Sequence, residues 1–542
     1  MTESTVKWMR TYDRAVFAAV LVLVCITAVS LWFWWTSFDR PYLVERPHAV
    51  LWDVVSIVSH ESGRASVSGI NGLADNPLAH FAAFTMKHFG GDFRAIVAAQ
   101  LPFMLLLIIS VALIAYRLGG PFAGGFAAIC TLFAPMTIGP AVQGDDLLPL
   151  QALMAAAVAI LVFCADSKQK LLALFAAVPV WFAVRIAFYS NAFLFLMVFG
   201  CATGAYLVGL PMLAMRRRKS IAIAIRSMGE LPWWPAVIAI LIGLWQLFPF
   251  PSRYFAEEAA NPVYAAVAPM SSLETLLAYP TVWGKIMTGQ LYVVLTVASI
   301  AILVRRKQWN MLIGPAGWLF LPMLVLSVLS KRHDWYLVTA IPATYVLIGL
   351  GMAQIDRMKW RIAAAVLITL MLYGHWGGLR TSVDEENYAD LNKVFLRVPK
   401  PFLLSPHMPP PDYVALAEAI HSTCRERPVV FADVPGINGV ETFYLWHRAP
   451  QTRIGDLWLG PAMLDRDPCL VAKMDQDVSR PYTIDKALDQ FETVGERSGK
   501  MTAAIHNRLE RAKKIAFMYK PAAEHFNWVI FTPGLPAIGE TP

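Results

Sequence analysis

Asp53 is the residue whose neighbours best suit it to chemistry. It lies in HAVLWDVVSIVSH (48–60), where Val50, Val54, Ile57 and Val58 recur at helical spacing and Trp52 precedes the carboxylate. A carboxylate at a water–lipid boundary is expected to have a raised pKa and to serve as a general base. The plainer reading makes it a solvated residue on the polar face. Arg185 stands near the end of an apolar run, where an arginine needs a partner or a cavity unless it snorkels to the interface. Lys331, Arg332, His333 and Asp334 join two apolar runs, each long enough to cross a bilayer. The six cysteines show no metal-ligand spacing. Cys25, Cys130, Cys164 and Cys201 sit in apolar runs and read as small core residues. Cys424 and Cys469 lie in a polar tail and would pair if that tail faces an oxidising compartment.

The elements that position these groups follow from composition. Of the 542 residues 57% are hydrophobic and only 15% charged, with a mean hydropathy of +0.51. A soluble chain carries about 25% charge, so the sequence reads as a polytopic helical membrane protein. The net charge of +8 falls in short clusters between apolar runs, with no continuous basic stripe for nucleic acid. The apolar run 15–36 is too long for the core of a signal peptide, so no cleavable leader is expected. Windows of about 20 apolar residues place spans near 15–36, 95–116, 120–140, 147–165, 170–189, 191–215, 233–250, 284–304, 311–330, 335–353 and 361–379, about eleven in all.

Cation clusters orient such a bundle. With eleven spans, Lys7–Arg14, Arg117, Lys168 and Lys170, Arg216–Lys219, Arg305–Lys307 and Arg357–Arg361 all fall on one side. That predicts a cytoplasmic N-terminus and an external C-terminus, and it puts Lys331 and Arg332 outside, against the rule. Three long segments are then external: 37–94, 251–283 and the tail after about 380. Loops of such length usually carry function. In the first, 48–60 and FAAFTMKHF (81–89) read as helices lying in the membrane interface. In the tail, DYVALAEAI (412–420) has helical periodicity while PVVFADV (428–434) and NWVIFTP (527–533) read as strands, so a small α/β domain is expected over 381–542, after a membrane domain over 1–380. No internal repeat is visible.

Four stretches in order carry a family resemblance: LWDVVSIVSHESGR (51–64), DNPLAHFAAFTMKHFGG (75–91), the R-L-G-G turn with QGDDLLPLQALMAAAVAILV (143–162), and KRHDWYLVTAIPATYVLIGLGMA (331–353). Together with the topology they make the chain resemble the GT-C glycosyltransferases, among them the protein O-mannosyltransferases and the lipid A aminoarabinose transferases. It departs from that pattern at Val54, where a second acidic residue often follows the first, and at Asn76-Pro77-Leu78, where P-P-L is common.

The resemblance implies an enzyme of the bacterial inner membrane with a periplasmic C-terminal domain. It would transfer a sugar from a polyprenyl phosphate to an acceptor hydroxyl on lipid A, another envelope glycan or a protein, by single displacement with inversion. Asp53 is the expected base. Asp145 and Asp146 are expected to bind the acceptor or a divalent cation, to position the base, or to cap a helix. His80 is a further candidate for donor or acceptor binding, ahead of His60 and Glu61. Arg185, Arg253, Lys331 and Arg332 are candidates for the leaving phosphate, ahead of Lys285, and Tyr336 belongs to the same motif. No metal ligands are assigned. A transporter or flippase of lipid-linked saccharide would place charges deep in the spans and show repeats, and the spans here are nearly free of acids. An O-antigen ligase-like enzyme would carry its long loop late in the bundle. A non-catalytic relative that binds polyprenyl lipid is the third alternative.

Overall fold

In the computed structural model the described residues are 3–36, 53–58, 76–89, 97–143, 146–164, 170–187, 189–218, 233–247, 279–328, 334–380, 413–425, 427–431, 439–456, 469–475, 516–519 and 526–531. The chain divides into two compact units. The first comprises 1–37, 100–142 and 146–404, and the second 38–99, 143–145 and 405–542.

The first unit is a helical bundle. Its helices are α1 (Glu3–Thr36), α3 (Leu101–Gly119), α4 (Pro121–Leu132), α5 (Pro135–Gln143), α6 (Leu147–Cys164), α7 (Ala177–Ile186), α8 (Tyr189–Arg218), α9 (Trp233–Leu247), α10 (Gln290–Arg305), α11 (Trp309–Val328), α12 (Pro342–Ala353) and α13 (Met358–Arg380); α2 (Pro77–Phe89) belongs to the second unit. Among the described residues, four segments are long and apolar enough to cross a membrane: Arg14–Phe33, Leu101–Gly119, Leu147–Cys164 and Trp309–Ser327. Six shorter apolar helices accompany them. The single run expected at 120–140 is two helices, because Pro135 has no N–H to continue α4 and starts a new helix after Ala134. The run at 335–353 likewise begins as a 3-10 turn, Asp334–Ala340, before Pro342 opens α12, and that at 170–189 begins as the 3-10 turn Lys170–Ala176. The run at 284–304 begins as a π-helix, Trp283–Thr288, separated from α10 by Gly289, whose φ of 81° suits a residue without a Cβ.

Lipid supplies no hydrophobic drive between helices, so close packing must do the work, and small residues permit it. A Cβ on Gly349 of α12 would lie 2.5 Å from the Ala123 carbonyl oxygen and 2.9 Å from Ala127 Cβ of α4. Gly124 of α4 meets Ala112 and Tyr116 of α3 and Phe17 of α1, and Gly314 and Gly317 of α11 receive Tyr206 and Ala205 of α8.

The two ends of this unit differ. At one end, Phe17 of α1 stacks on Tyr116 near the end of α3, Gly119 abuts Leu350, the Arg361 guanidinium lies over Phe122, and Arg306 grips both oxygens of Asp356. These contacts draw Arg117, Arg305–Lys307 and Arg357–Arg361, three of the predicted cation clusters, to one end. At the other end the backbone is irregular. The π-helix and the 334–340 turn touch there, tied down by Trp283 Nε1 donating to Thr344 Oγ1 and Trp318 Nε1 donating to the Thr339 carbonyl. Non-α backbone inside a membrane protein is tolerated where protein covers it, and Leu337, Val338, Thr339 and Ala340 are buried.

The second unit contains a five-stranded sheet of order β2-β1-β3-β5-β4. Its strands are β1 (Val429–Phe431), β2 (Ile454–Asp456), β3 (Cys469–Asp475), β4 (Ala516–Tyr519) and β5 (Phe526–Phe531), with α14 (Tyr413–Cys424) and α15 (Gly439–Arg448) packed on each other. β1 runs parallel to both neighbours, Val429 pairing with Ile454 and with Cys469, and β5 runs antiparallel to β3 and β4. All three residues of β1 are buried, as expected for a strand flanked on both sides. A disulfide joins Cys424 at the end of α14 to Cys469 at the start of β3, where the Cys469 N–H also donates to the Pro428 carbonyl.

Candidate active site

In the second unit, the amphipathic stretch around Asp53 is helical over 53–58. Asp53 is not on a solvated face: it is 2% exposed, with Val54, Val55 and Ile57 buried beside it. Burial pushes its carboxyl well above the usual carboxylate range, because the charged form loses its hydration. This overturns the solvated reading and leaves a carboxyl with enhanced basicity outside the spans.

The Asn76-Pro77-Leu78 stretch has a local cause. Asn76 is buried and caps α2, its Oδ1 accepting the Leu78 N–H at 2.9 Å, while Pro77 occupies the first helical position, where no intrahelical N–H is needed. Asn76 also accepts the His80 N–H through its carbonyl. The His80 side chain is exposed on the outer face of α2, and Leu78, Ala79, Ala82, Ala83 and Met86 form the buried stripe.

In the first unit, α6 is the element common to the candidates. Asp146 is half-buried immediately before it, and its carbonyl accepts the Leu150 N–H, so it occupies the capping position that its residue type favours. The 334–340 turn, which carries Tyr336, packs against α6, α8 and α11. α7, which carries Arg185, packs against α6, α8 and α9. Arg185 is half-buried with its guanidinium 5.5 Å from the centre of the Trp181 ring one turn earlier, a cation–π contact that suits an arginine at the end of an apolar helix. The bundle thus gathers the Asp146, Arg185 and Tyr336 segments around one helix. Asp145, Arg253, Lys331, Arg332, His60 and Glu61 lie outside the described residues, as do the side chains of Tyr336 and Lys285. Among the described residues no group of three or more His, Cys, Asp or Glu gathers as a metal site would.

One residue of this region was not singled out by its sequence context. Gln151, fully buried in α6, donates from Nε2 to the Met136 carbonyl of α5 at 2.9 Å. Its signal is an amide in the otherwise apolar run L-L-P-L-Q-A-L-M, where a polar group needs a partner.

The sequence matches no protein-family model and no curated protein. Its fold is similar to that of ArnT from Cupriavidus metallidurans, whose structure is bound to undecaprenyl phosphate: 14% identity over 94% of this chain and 97% of that one, with a TM-score of 0.50. A further similarity is to the archaeal oligosaccharyltransferase AglB from Archaeoglobus fulgidus in complex with an inhibitory peptide and a dolichol-phosphate, at 11% identity, covering 97% of this chain and 75% of that one, with a TM-score of 0.45. The chain therefore shares the overall fold of that ArnT structure.

Proposed function

We propose that this chain is an integral-membrane glycosyltransferase that moves a sugar from a polyprenyl-phosphate donor to an acceptor hydroxyl, with inversion and with Asp53 as general base. The observation that carries this reading is the burial of Asp53, outside the spans, in a chain with the fold of ArnT. An alcohol is a poor nucleophile until its proton is accepted as the new bond forms. A carboxylate stripped of water is a stronger base than a solvated one. The acceptor oxygen bonds to the anomeric carbon on the face opposite the phosphate. The bond between the anomeric carbon and the phosphate oxygen breaks, and the electron pair leaves with the polyprenyl phosphate. The hydroxyl proton ends on Asp53 and passes to water.

Charge on the departing phosphate calls for fixed cations. Arg185, Lys331, Arg332 and Arg253 are assigned that role, and Tyr336 is assigned to substrate binding. Asp145 and Asp146 are assigned to the acceptor or to a divalent cation, and His80 to the donor or the acceptor. The orientation follows from the positive-inside rule: the cationic end of the bundle faces the cytoplasm and the Asp146 end faces the periplasm of a bacterial inner membrane. The Cys424–Cys469 disulfide favours the same assignment, since such bonds persist on the oxidising side.

The test is Asp53→Asn in membranes supplied with labelled polyprenyl-phosphate hexoses and pentoses. Loss of transfer by a folded variant is expected. Unchanged transfer would remove Asp53 as base, and absence of transfer by the wild type with every donor would favour translocation or lipid binding without chemistry.

A further inference from the structure

The cationic end of the bundle is built more firmly than a topology signal requires. Two turns are locked together there: Arg306, after α10, grips Asp356, after α12, in a two-pronged pair, and Arg361 Nε and Nη2 both donate to the Ile355 carbonyl. Arg306 and Arg361 are thereby committed to structure. Arg305, Lys307, Arg357 and Lys359 are exposed beside them, and Asp356 is the one acidic residue among the described residues of the two turns.

Lys307 follows α10 with φ of 53°, while the Gln308 N–H reaches back to the Leu303 carbonyl and its own N–H to Val304. This is the helix-ending motif whose left-handed position glycine normally fills. Lysine fills that position here, as Arg425 does after α14. Trp309 and Trp360 are 45% and 60% exposed, and Val304, Met358 and Ile362 present apolar surface next to the cations. Aromatic rings and apolar side chains next to a cationic cluster match the headgroup level of a bilayer, and cationic pockets between spans take phosphate headgroups.

We infer that the Arg305–Lys307 and Arg357–Lys359 turns form a binding site for an anionic phospholipid, its headgroup phosphate held by Lys307, Arg357 and Lys359 and its acyl chains lying along α10 and α13. This site is independent of the transfer reaction and lies at the opposite end of the bundle from Asp146.

The experiment measures phosphatidylglycerol retained by the purified full-length protein, using native mass spectrometry, with phosphatidylcholine as the neutral control. Lys307→Gly removes one cation while supplying the residue the backbone prefers. Retention should fall about five-fold per cation removed, for Lys307→Gly and further for Arg357→Gln with Lys359→Gln. The unfolding temperature of Lys307→Gly in phosphatidylcholine nanodiscs should be unchanged or raised, which separates lost binding from lost folding. Equal retention by wild type and the triple variant overturns the site. So does displacement of the lipid by soluble glycerol phosphate at equal concentration, which would assign the cations to a free phosphate.

Discussion

Gln151 on α6 donates to the carbonyl of Met136 on α5, fifteen residues earlier. The partner that an α-helix would supply to Met136 is the N–H four residues on, and that residue is Pro140. A side-chain amide from the next helix therefore replaces the bond the proline removes. This joins α5 to α6 on either side of the segment that holds Asp145 and Asp146.

Gln151→Leu should destabilise the bundle by about 1–3 kcal/mol, the usual cost of leaving a buried polar group unpaired. Pro140→Ala returns an N–H to position 140 and should recover part of that loss in the double variant while changing the wild type less. Unfolding of the four proteins in one detergent gives the coupling directly. Additive effects would mean that the two residues act separately.

The pH dependence of transfer should carry the signature of Asp53. Because burial raises its pKa, activity should fall on acidification at a pH above the ordinary carboxylate range. The stability effect has the opposite sense. A carboxyl with a raised folded-state pKa favours folding fully below its unfolded value, and that contribution is lost as pH rises through the folded value. Asp53→Asn should therefore leave the folded unit as stable or more stable at neutral pH while abolishing transfer. Rate profiles and thermal melts across pH check both halves.

Gly349→Ala should weaken the α4–α12 contact, since the added methyl meets the Ala123 carbonyl oxygen at 2.5 Å, and backbone cannot swing aside. Overpacking of this kind costs about 1–3 kcal/mol. Gly374→Ala, on α13, meets nothing within 4 Å and serves as the control. Detergent-dependent melting of the two variants distinguishes close packing from a general intolerance of substitution.

The Cys424–Cys469 bond closes a separation of 45 residues, for which the chain-entropy account gives about 4 kcal/mol. Both sulfurs are buried, so a mild reductant should act only after local opening. Cys424→Ala with Cys469→Ala should lower the stability of the sheet-containing unit, read by proteolysis, without altering protection of α3, α4 or α12.

What local sequence announced and what it could not are well separated here. The apolar runs at 95–116, 147–165 and 311–330 are matched by α3, α6 and α11, because span length is a property of consecutive residues and bilayer thickness. Strands β1 and β5 fall within 428–434 and 527–533, where dense apolar and β-branched residues leave few other choices. The breaks inside 120–140, 284–304 and 335–353 were visible as Pro135, Gly289 and Pro342, yet hydropathy averages over single residues and passed across them.

Asp53 shows the limit most clearly. Its type and apolar neighbours marked it as a candidate base, since both are written in the chain. Helical periodicity alone put it on the polar face, because that calculation assumes water on one side. Only the packed unit, by enclosing Asp53 together with Val54 and Val55, decided that the carboxyl is dry and its basicity raised. The Gln151–Met136 bond and the Cys424–Cys469 pair belong to the same class. Each depends on two helices, or a helix and a strand, meeting in space, and no local preference encodes that meeting.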